Sequence, residues 1–330
     1  MAEISLVSGA LSLTGQCTIA CKHCYSESSP KVKAFLSTDH LKSIVSTLRR
    51  HGVKQIFLGG GEPFLHNGLE EVVKHMFQNE VLPSISTNGH VISTERLELL
   101  YEFGMRYNLS ISLDGPSEDI NSTIRGANSF AKTLFGMYQL SAFGKILWGV
   151  NYVCCKNNFG YALDTAKLAS RLGASYFNCI KFTPSGRGER FAKKMAITDE
   201  EYRMEILTLS DIFTPFGEYY QDIYVFDIRS DAVPNGNSMS KCARSYFSDF
   251  KIENPLGVSI NHFGTVALAP PNIYLGNLFE TSLDEIINRL ATKDVLEKYE
   301  QWLHGARGGI HPPKDPSRNM PEVINLNGYE

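Results

Sequence analysis

The sequence predicts an α/β protein: a partial (β/α)6 TIM-like barrel followed by a smaller α+β domain. Three observations predict it. Between residues 10 and 185 a short apolar run followed by a helical stretch recurs six times, and such alternation calls for a parallel sheet with right-handed crossovers. Six units fall short of the eight that close a full barrel. Beyond about residue 190 the alternation gives way to a charged helical stretch, two strand-like runs and one further helix. The expected domains are therefore 1–190 and 191–303, with an irregular Gly- and Pro-rich tail over 304–330. A chain of 330 residues is also somewhat longer than one core usually grows.

Each element has its own signal. The apolar run just before Cys17 is the first strand. Ser37-Thr-Asp-His caps a helix whose Leu41, Ile44, Val45 and Leu48 share one face, and which stops near Gly52. Lys54-Gln-Ile-Phe-Leu-Gly is the second strand, with the second helix over 68–79. Val81 to Thr87 is the third, followed by a helix over Thr94 to Phe103 that ends at Gly104. Tyr107 to Asp114 is the fourth, followed by a helix near 129–143. Trp148 to Cys154 is the fifth, with a helix over Tyr161 to Leu172 closed by Gly173, and Tyr176 to Thr183 is the sixth. In the fourth strand Leu109, Ile111 and Leu113 alternate with Ser110, Ser112 and Asp114, so an apolar face packs on helices and a polar face looks into the barrel. Tyr219 to Ile228 and Val258 to Leu268 read as strands of the second domain, and Leu283 to Tyr299 as its helix.

Composition narrows the function. A formal charge of −3 with acids and bases interspersed gives no reason to expect nucleic acid or an anionic membrane as partner. The N-terminus lacks the basic start and apolar run of a signal peptide, and no stretch is long and uncharged enough to span a bilayer. A cytoplasmic location is expected. Seven cysteines, three of them in one loop, fit a metal role in a reducing compartment better than a disulfide framework. Cys154, Cys155 and Cys179 lie in apolar stretches and read as core thiols.

Cys17, Cys21 and Cys24 carry the chemistry. Thiolates at CxxxCxxC spacing can wrap three irons of a cubane cluster from one short loop, leaving the fourth iron open to a small molecule. The alternative is a structural zinc site closed by a fourth ligand such as His23. Barrels of this type place their sites at the carboxyl ends of the strands. There fall the cysteine loop, Gly59 to Pro63, Ser86 to Gly89, Ser112 to Gly115 and Thr183 to Arg187.

The ordered combination of Cys17-x3-Cys21-x2-Cys24, Gly59-Gly-Gly-Glu-Pro63, Ser86-Thr-Asn-Gly89 and Ser112-Leu-Asp-Gly115 resembles the radical S-adenosylmethionine (SAM) enzymes over residues 10–190. The resemblance implies one [4Fe-4S] cluster held by Cys17, Cys21 and Cys24, with SAM chelated on its free iron. One electron from the cluster then cleaves the sulfonium to a 5′-deoxyadenosyl radical that removes a substrate hydrogen. It implies that Gly60, Gly61 and Glu62 meet the SAM amino group, Ser112 its ribose or carboxylate, Arg125 its carboxylate and Asn151 its ribose. His23 would lie near the adenine, where many relatives carry Tyr or Phe.

Cys242-Ala-Arg, Gly257 to Pro270 and Gly276 to Ile287 resemble the SPASM or twitch module of peptide maturases. That module normally holds auxiliary clusters. Here Ala269 stands where a cysteine is usual and no cysteine follows Cys242, so a degenerate, cluster-free twitch-like domain is expected. Redox-neutral outcomes follow, such as epimerisation or backbone rearrangement, with Cys242 a candidate hydrogen-atom donor. A precursor peptide is the leading substrate. Sixteen residues before Cys17 leave no room for a leader-binding domain, so a separate recognition protein and an external electron donor are expected partners. The alternatives are an epimerase, dehydrogenase or decarboxylase acting on a sugar or nucleoside, and a catalytically silent binding partner with the same fold.

Overall fold

Strands that must bury one face against helices and leave the other to line a site should alternate in chemistry, and the parallel strands do. A computed structural model describes residues 6–219, 223–229, 256–269 and 273–299. Six parallel strands, β1 (Leu6–Thr14), β2 (Gln55–Gly60), β3 (Leu82–Thr87), β4 (Leu109–Ser112), β5 (Trp148–Cys154) and β6 (Tyr176–Lys181), lie side by side in chain order. Leu109, Ile111, Val150, Tyr152, Phe177 and Cys179 are fully buried in the main hydrophobic core. Facing the other way, Ser86, Ser110, Asn151 and Asn178 occupy paired positions on neighbouring strands.

The crossovers are helical. α1 (Thr38–Arg50) begins at Ser37, whose hydroxyl accepts from the His40 amide, and it buries Leu41, Ile44, Val45 and Leu48. Burial of four such side chains stabilises by about 1.5–3 kcal/mol each. α2 (Leu69–Gln78), α3 (Thr94–Glu102), α5 (Ser129–Phe143) and α6 (Ala162–Arg171) make the other crossovers, and of these α3 alone has a side-chain cap, from Ser93. One helix is absent from the sequence expectation: α4 (Glu118–Arg125), between β4 and α5. Its Asn121, Ser122 and Thr123 are poor helix formers, so its periodicity is hidden. Gly126 ends it, and Arg125 is its last residue.

Beyond residue 190 come a short helix α7 (Ala192–Met195) and then α8 (Asp199–Ser210), opened by a reciprocal cap between Thr198 and Glu201. The strands that follow do not form a sheet of their own. β7 (Thr214–Tyr219) and β8 (Ile223–Asp227) add antiparallel to β6, while β9 (Leu256–Ile260) pairs parallel with β1 and carries β10 (Thr265–Ala269) and β11 (Ile273–Asn277) outward. Among the described residues the result is one eleven-stranded sheet with β1–β6 at its centre, and the barrel is not closed. Val258 to Leu268, read as one strand, is a hairpin turning at Asn261 to Gly264, where the Asn261 side chain accepts from the amides of Phe263 and Thr265. The helix expected over Leu283 to Tyr299 divides into α9 (Leu283–Asn288), a 3-10 turn and a helical segment over 293–299, because Thr292 is extended. No helix among the described residues is long and apolar enough to cross a membrane.

Candidate active site at the carboxyl ends of the parallel strands

The cysteine loop leaves the end of β1 and is folded back by backbone bonds from the Gly15 amide to Ala34 O and from the Cys17 amide to Ser29 O. Cys17 Sγ accepts from Asn88 Nδ2 at 3.4 Å, Cys24 Sγ lies 3.3 Å from Ser26 Oγ, and Cys21 Sγ lies 3.9 Å from Arg125 Nη1. Burial pushes the Cys17 thiol up to about 11 and the Cys21 thiol to about 12, and each senses the charge of its neighbours. Bound metal reverses that preference, because a coordinating thiol is deprotonated outright.

The donor set suits an iron-sulfur cubane better than zinc. Thiolates are the ligands of choice for such clusters. His23, the candidate fourth ligand of a zinc site, is instead engaged: its Nε2 lies 2.7 Å from Asp114 Oδ2. Among the described residues no three His, Cys, Asp or Glu side chains gather tightly enough for a single ion, whereas a cubane takes its thiolates on three separate irons.

Gly60 and Gly61 bring the end of β2 against this loop. The Gly61 amide donates to Thr14 O at 2.7 Å and the Glu62 amide to Gln16 O at 2.8 Å. A Cβ on Gly61 would stand 2.1 Å from Gln16 O, and Gly60 has φ +96, so neither position accepts a side chain without strain. The glycines thus serve an approach to the cysteine loop itself. Glu62 is wholly buried and accepts from the Thr87 hydroxyl at 2.7 Å and from the amides of Asn88 at 2.8 Å and Phe64 at 3.1 Å. Burial holds its pKa above the usual carboxylate range despite these donors. It ties the end of β2 to the end of β3.

Asp114, just past β4, is a hub that sequence reasoning passed over although it stands in the quoted Ser112 to Gly115 run. Its Oδ2 receives His23 and stands 2.6 Å from Arg125 Nε in an ion pair without hydrogen-bond alignment. Its Oδ1 accepts from the Val153 amide at 2.8 Å. Burial alone would raise this carboxyl, but Arg125 and His23 outweigh it and hold the pKa below the ordinary value. Arg125 is itself 5% exposed, so it is a buried partner of Asp114 and Cys21 and not a solvated surface charge.

Ser112 ends β4 opposite Asn151 on β5. Asn151 donates to Ser86 Oγ at 3.0 Å and accepts from Asn178 Nδ2 at 2.7 Å. Asn178, unremarked in the sequence, leaves its buried Oδ1 without a hydrogen-bond partner among the described residues. That orphan acceptor at the end of a polar row suits a ligand hydroxyl. Alternation of polar and apolar residues in Tyr176-Phe-Asn-Cys179 was the signal available. Cys154, Cys155 and Cys179 are fully buried, as core thiols should be. Cys242 lies outside the described residues.

Residues 11–169 match the family model of the radical SAM superfamily. Mycofactocin maturase MftC of Mycobacterium ulcerans is 35% identical over 176 residues, which cover 53% of this chain and 47% of the relative. The antilisterial bacteriocin subtilosin biosynthesis protein AlbA of Bacillus subtilis is 27% identical over 291 residues, 84% of this chain and 58% of the relative. The chain thus spans about half the length of the curated relatives it matches. Among solved structures, Streptococcus suis SuiB bound to S-adenosylmethionine superposes with TM-score 0.63 at 13% identity, covering 88% of this chain and 67% of that one. The enzyme anSMEcpe with bound AdoMet gives 0.62 at 15% identity, covering 98% and 94%. These likenesses fix the fold, and the family model joins it to the three-cysteine loop: residues 11–169, just under half of the chain, match the radical SAM domain, whose family uses a [4Fe-4S] cluster and SAM.

Proposed function

We propose that the chain is a radical SAM enzyme that takes a hydrogen atom from a ribosomally made precursor peptide, with a redox-neutral outcome such as epimerisation or backbone rearrangement. One observation carries the catalytic part. The three cysteines, the Gly60 to Glu62 turn, Arg125 and the Ser112–Asn151 row arrive at one end of the sheet from five different elements. Bound cluster and SAM supply the radical chemistry, with the electron from an external donor.

The chain's own residues bind and aim. Cys17, Cys21 and Cys24 hold the cluster; Gly60, Gly61 and Glu62 form the wall that receives the SAM amino group; Arg125 meets its carboxylate; Ser112 meets its ribose or carboxylate, and Asn151 its ribose. His23, held by Asp114, is the residue that would lie near the adenine. The peptide assignment is supported by AlbA and MftC, a bacteriocin biosynthesis protein and a maturase, and by a SuiB structure bound to its precursor peptide SuiA.

Anaerobic reconstitution should give about four irons per chain, and joint replacement of Cys17, Cys21 and Cys24 by Ala should abolish formation of 5′-deoxyadenosine. Iron near eight per chain, or undiminished cleavage by the triple variant, refutes the assignment. Mass spectrometry after incubation with SAM and reductant separates a modified peptide from a modified sugar or nucleoside.

A further inference from the structure

Strands β1 and β6 are not paired with each other: β1 bonds β2 and β9, and β6 bonds β5 and β8. The cysteine loop, which leaves β1, must therefore be held on the β6 side by something other than a ladder. On its other sides it is well tied, through the Glu62 amide to Gln16 O, Asn88 to Thr18, His23 to Asp114 and the Lys22 amide to Ile124 O.

On the β6 side one residue makes nearly all the connections. Arg187 Nη1 donates to Cys21 O at 2.8 Å, and its Nη2 donates to Glu27 O at 2.8 Å and Ser28 O at 2.6 Å. Its backbone amide donates to Cys24 O at 2.9 Å. Gly186 lets the strap lie flat: its φ is +52, and a Cβ there would stand 2.2 Å from Tyr25 O. The segment so gripped contains Cys21 and Cys24 and has no regular structure. It also contains Glu27 at φ +54, a left-handed conformation that a side-chain-bearing residue adopts only at a cost and under external restraint. Arg187 binds that residue's own carbonyl.

We propose that Arg187 is a positioning residue that clamps the cysteine loop across the open side of the barrel and presets Cys21 and Cys24 for cluster ligation. A planar guanidinium can bridge three carbonyls at once, whereas an ammonium on a single stem cannot match that fork. The effect on iron rests on the proposed cluster assignment; the clamp itself does not.

The test begins with the metal-free full chain. In Arg187→Ala, hydrogen–deuterium exchange of amides in residues 21–28 should rise roughly tenfold or more, the scale expected when hydrogen bonds to a charged group are lost, while the strands of the sheet exchange as before. Arg187→Lys should recover only part of the protection. Arg190→Ala serves as control, because Arg190 is exposed and makes only a 3.4 Å contact to Glu27. After anaerobic reconstitution, Arg187→Ala should lose iron to a chelator several-fold faster than wild type, and Arg190→Ala should not. Unchanged exchange in residues 21–28 overturns the clamp. So does an exchange increase spread over the whole sheet in both Arg187→Ala and Arg187→Lys, since that would make Arg187 a general fold residue. A wild-type chain that takes up no iron would refute the cluster assignment and leave the exchange result standing.

Discussion

Asp114→Asn is the sharpest probe of the site. The substitution keeps the shape of the side chain and the acceptor for the Val153 amide, and removes the charge together with the acceptor that faces Arg125 and His23. What it removes is large, because Asp114 is fully buried and its Oδ2 stands 2.6 Å from Arg125 Nε and 2.7 Å from His23 Nε2. Deleting one partner of a buried ion pair costs ~3–5 kcal/mol. For a chain of 330 residues, with an unfolding entropy of about 2.1 cal/mol/K per residue, a loss near 4 kcal/mol lowers Tm by about 6 °C. Calorimetry and urea titration of the metal-free chain measure it. The companion variant Arg125→Met removes the stranded charge, so the double variant should cost less than the sum of the singles by about 1–3 kcal/mol. A loss below about 1 kcal/mol in Asp114→Asn, or strict additivity in the double variant, would show that the Asp114–Arg125 pair is not the buried keystone its geometry indicates.

Arg125→Lys should weaken SAM binding by about 1.5–3 kcal/mol in the cluster-loaded protein, because an ammonium keeps the charge and loses the two-point grip; unchanged affinity by titration calorimetry removes Arg125 from the binding site. Gly61→Ala should destabilise the metal-free chain by about 1–3 kcal/mol, the usual cost of forcing extra atoms into a packed site, since its Cβ would stand 2.1 Å from Gln16 O; an unaltered urea midpoint refutes the close approach. Acid should act through Asp114. Its folded pKa lies below the 3.8 of the free group, so its contribution is complete above pH 3.8 and is lost as pH falls below that toward the folded value. Urea midpoints measured across that window should fall less steeply in Asp114→Asn than in wild type.

Legibility in the sequence followed the physical range of each signal. α1 and β4 were readable because their patterns are local: four apolar residues on one helical face, and strict alternation in the strand. α4 was not, since eight residues rich in Asn, Ser and Thr give no period. The turn inside Val258 to Leu268 was hidden because Asn261 and Gly264 sit within an apolar run that reads as continuous strand. Strand partners outside the six parallel strands were beyond reach. Nothing local tells β9 to pair with β1 or β8 with β6, as those choices are made by contacts across long stretches of chain. In the site, the cysteines were legible by their spacing and the other expected contacts came from the family resemblance, whereas Asp114, Asn178 and Arg187 act on His23, Asn151 and Cys21, from 27 to 166 residues away, and only the fold reveals them.

One tension between expectation and geometry is resolved by counting donors. The resemblance aims Arg125 at the SAM carboxylate, yet its Nε is committed to Asp114 and its Nη1 faces Cys21. A guanidinium carries five N–H donors in a rigid fork, and these contacts engage two of its three nitrogens, so the fork can still present a donor edge to a second carboxylate. Charge is the stricter limit. Two carboxylates on one buried arginine leave a net negative site, which a low-dielectric interior resists. His23 Nε2, 2.7 Å from the same Oδ2, is a second partner that shares Asp114 with Arg125. With His23 also on Oδ2, Asp114 does not rest on Arg125 alone, and a SAM carboxylate at the open edge of the arginine remains part of the proposed binding mode.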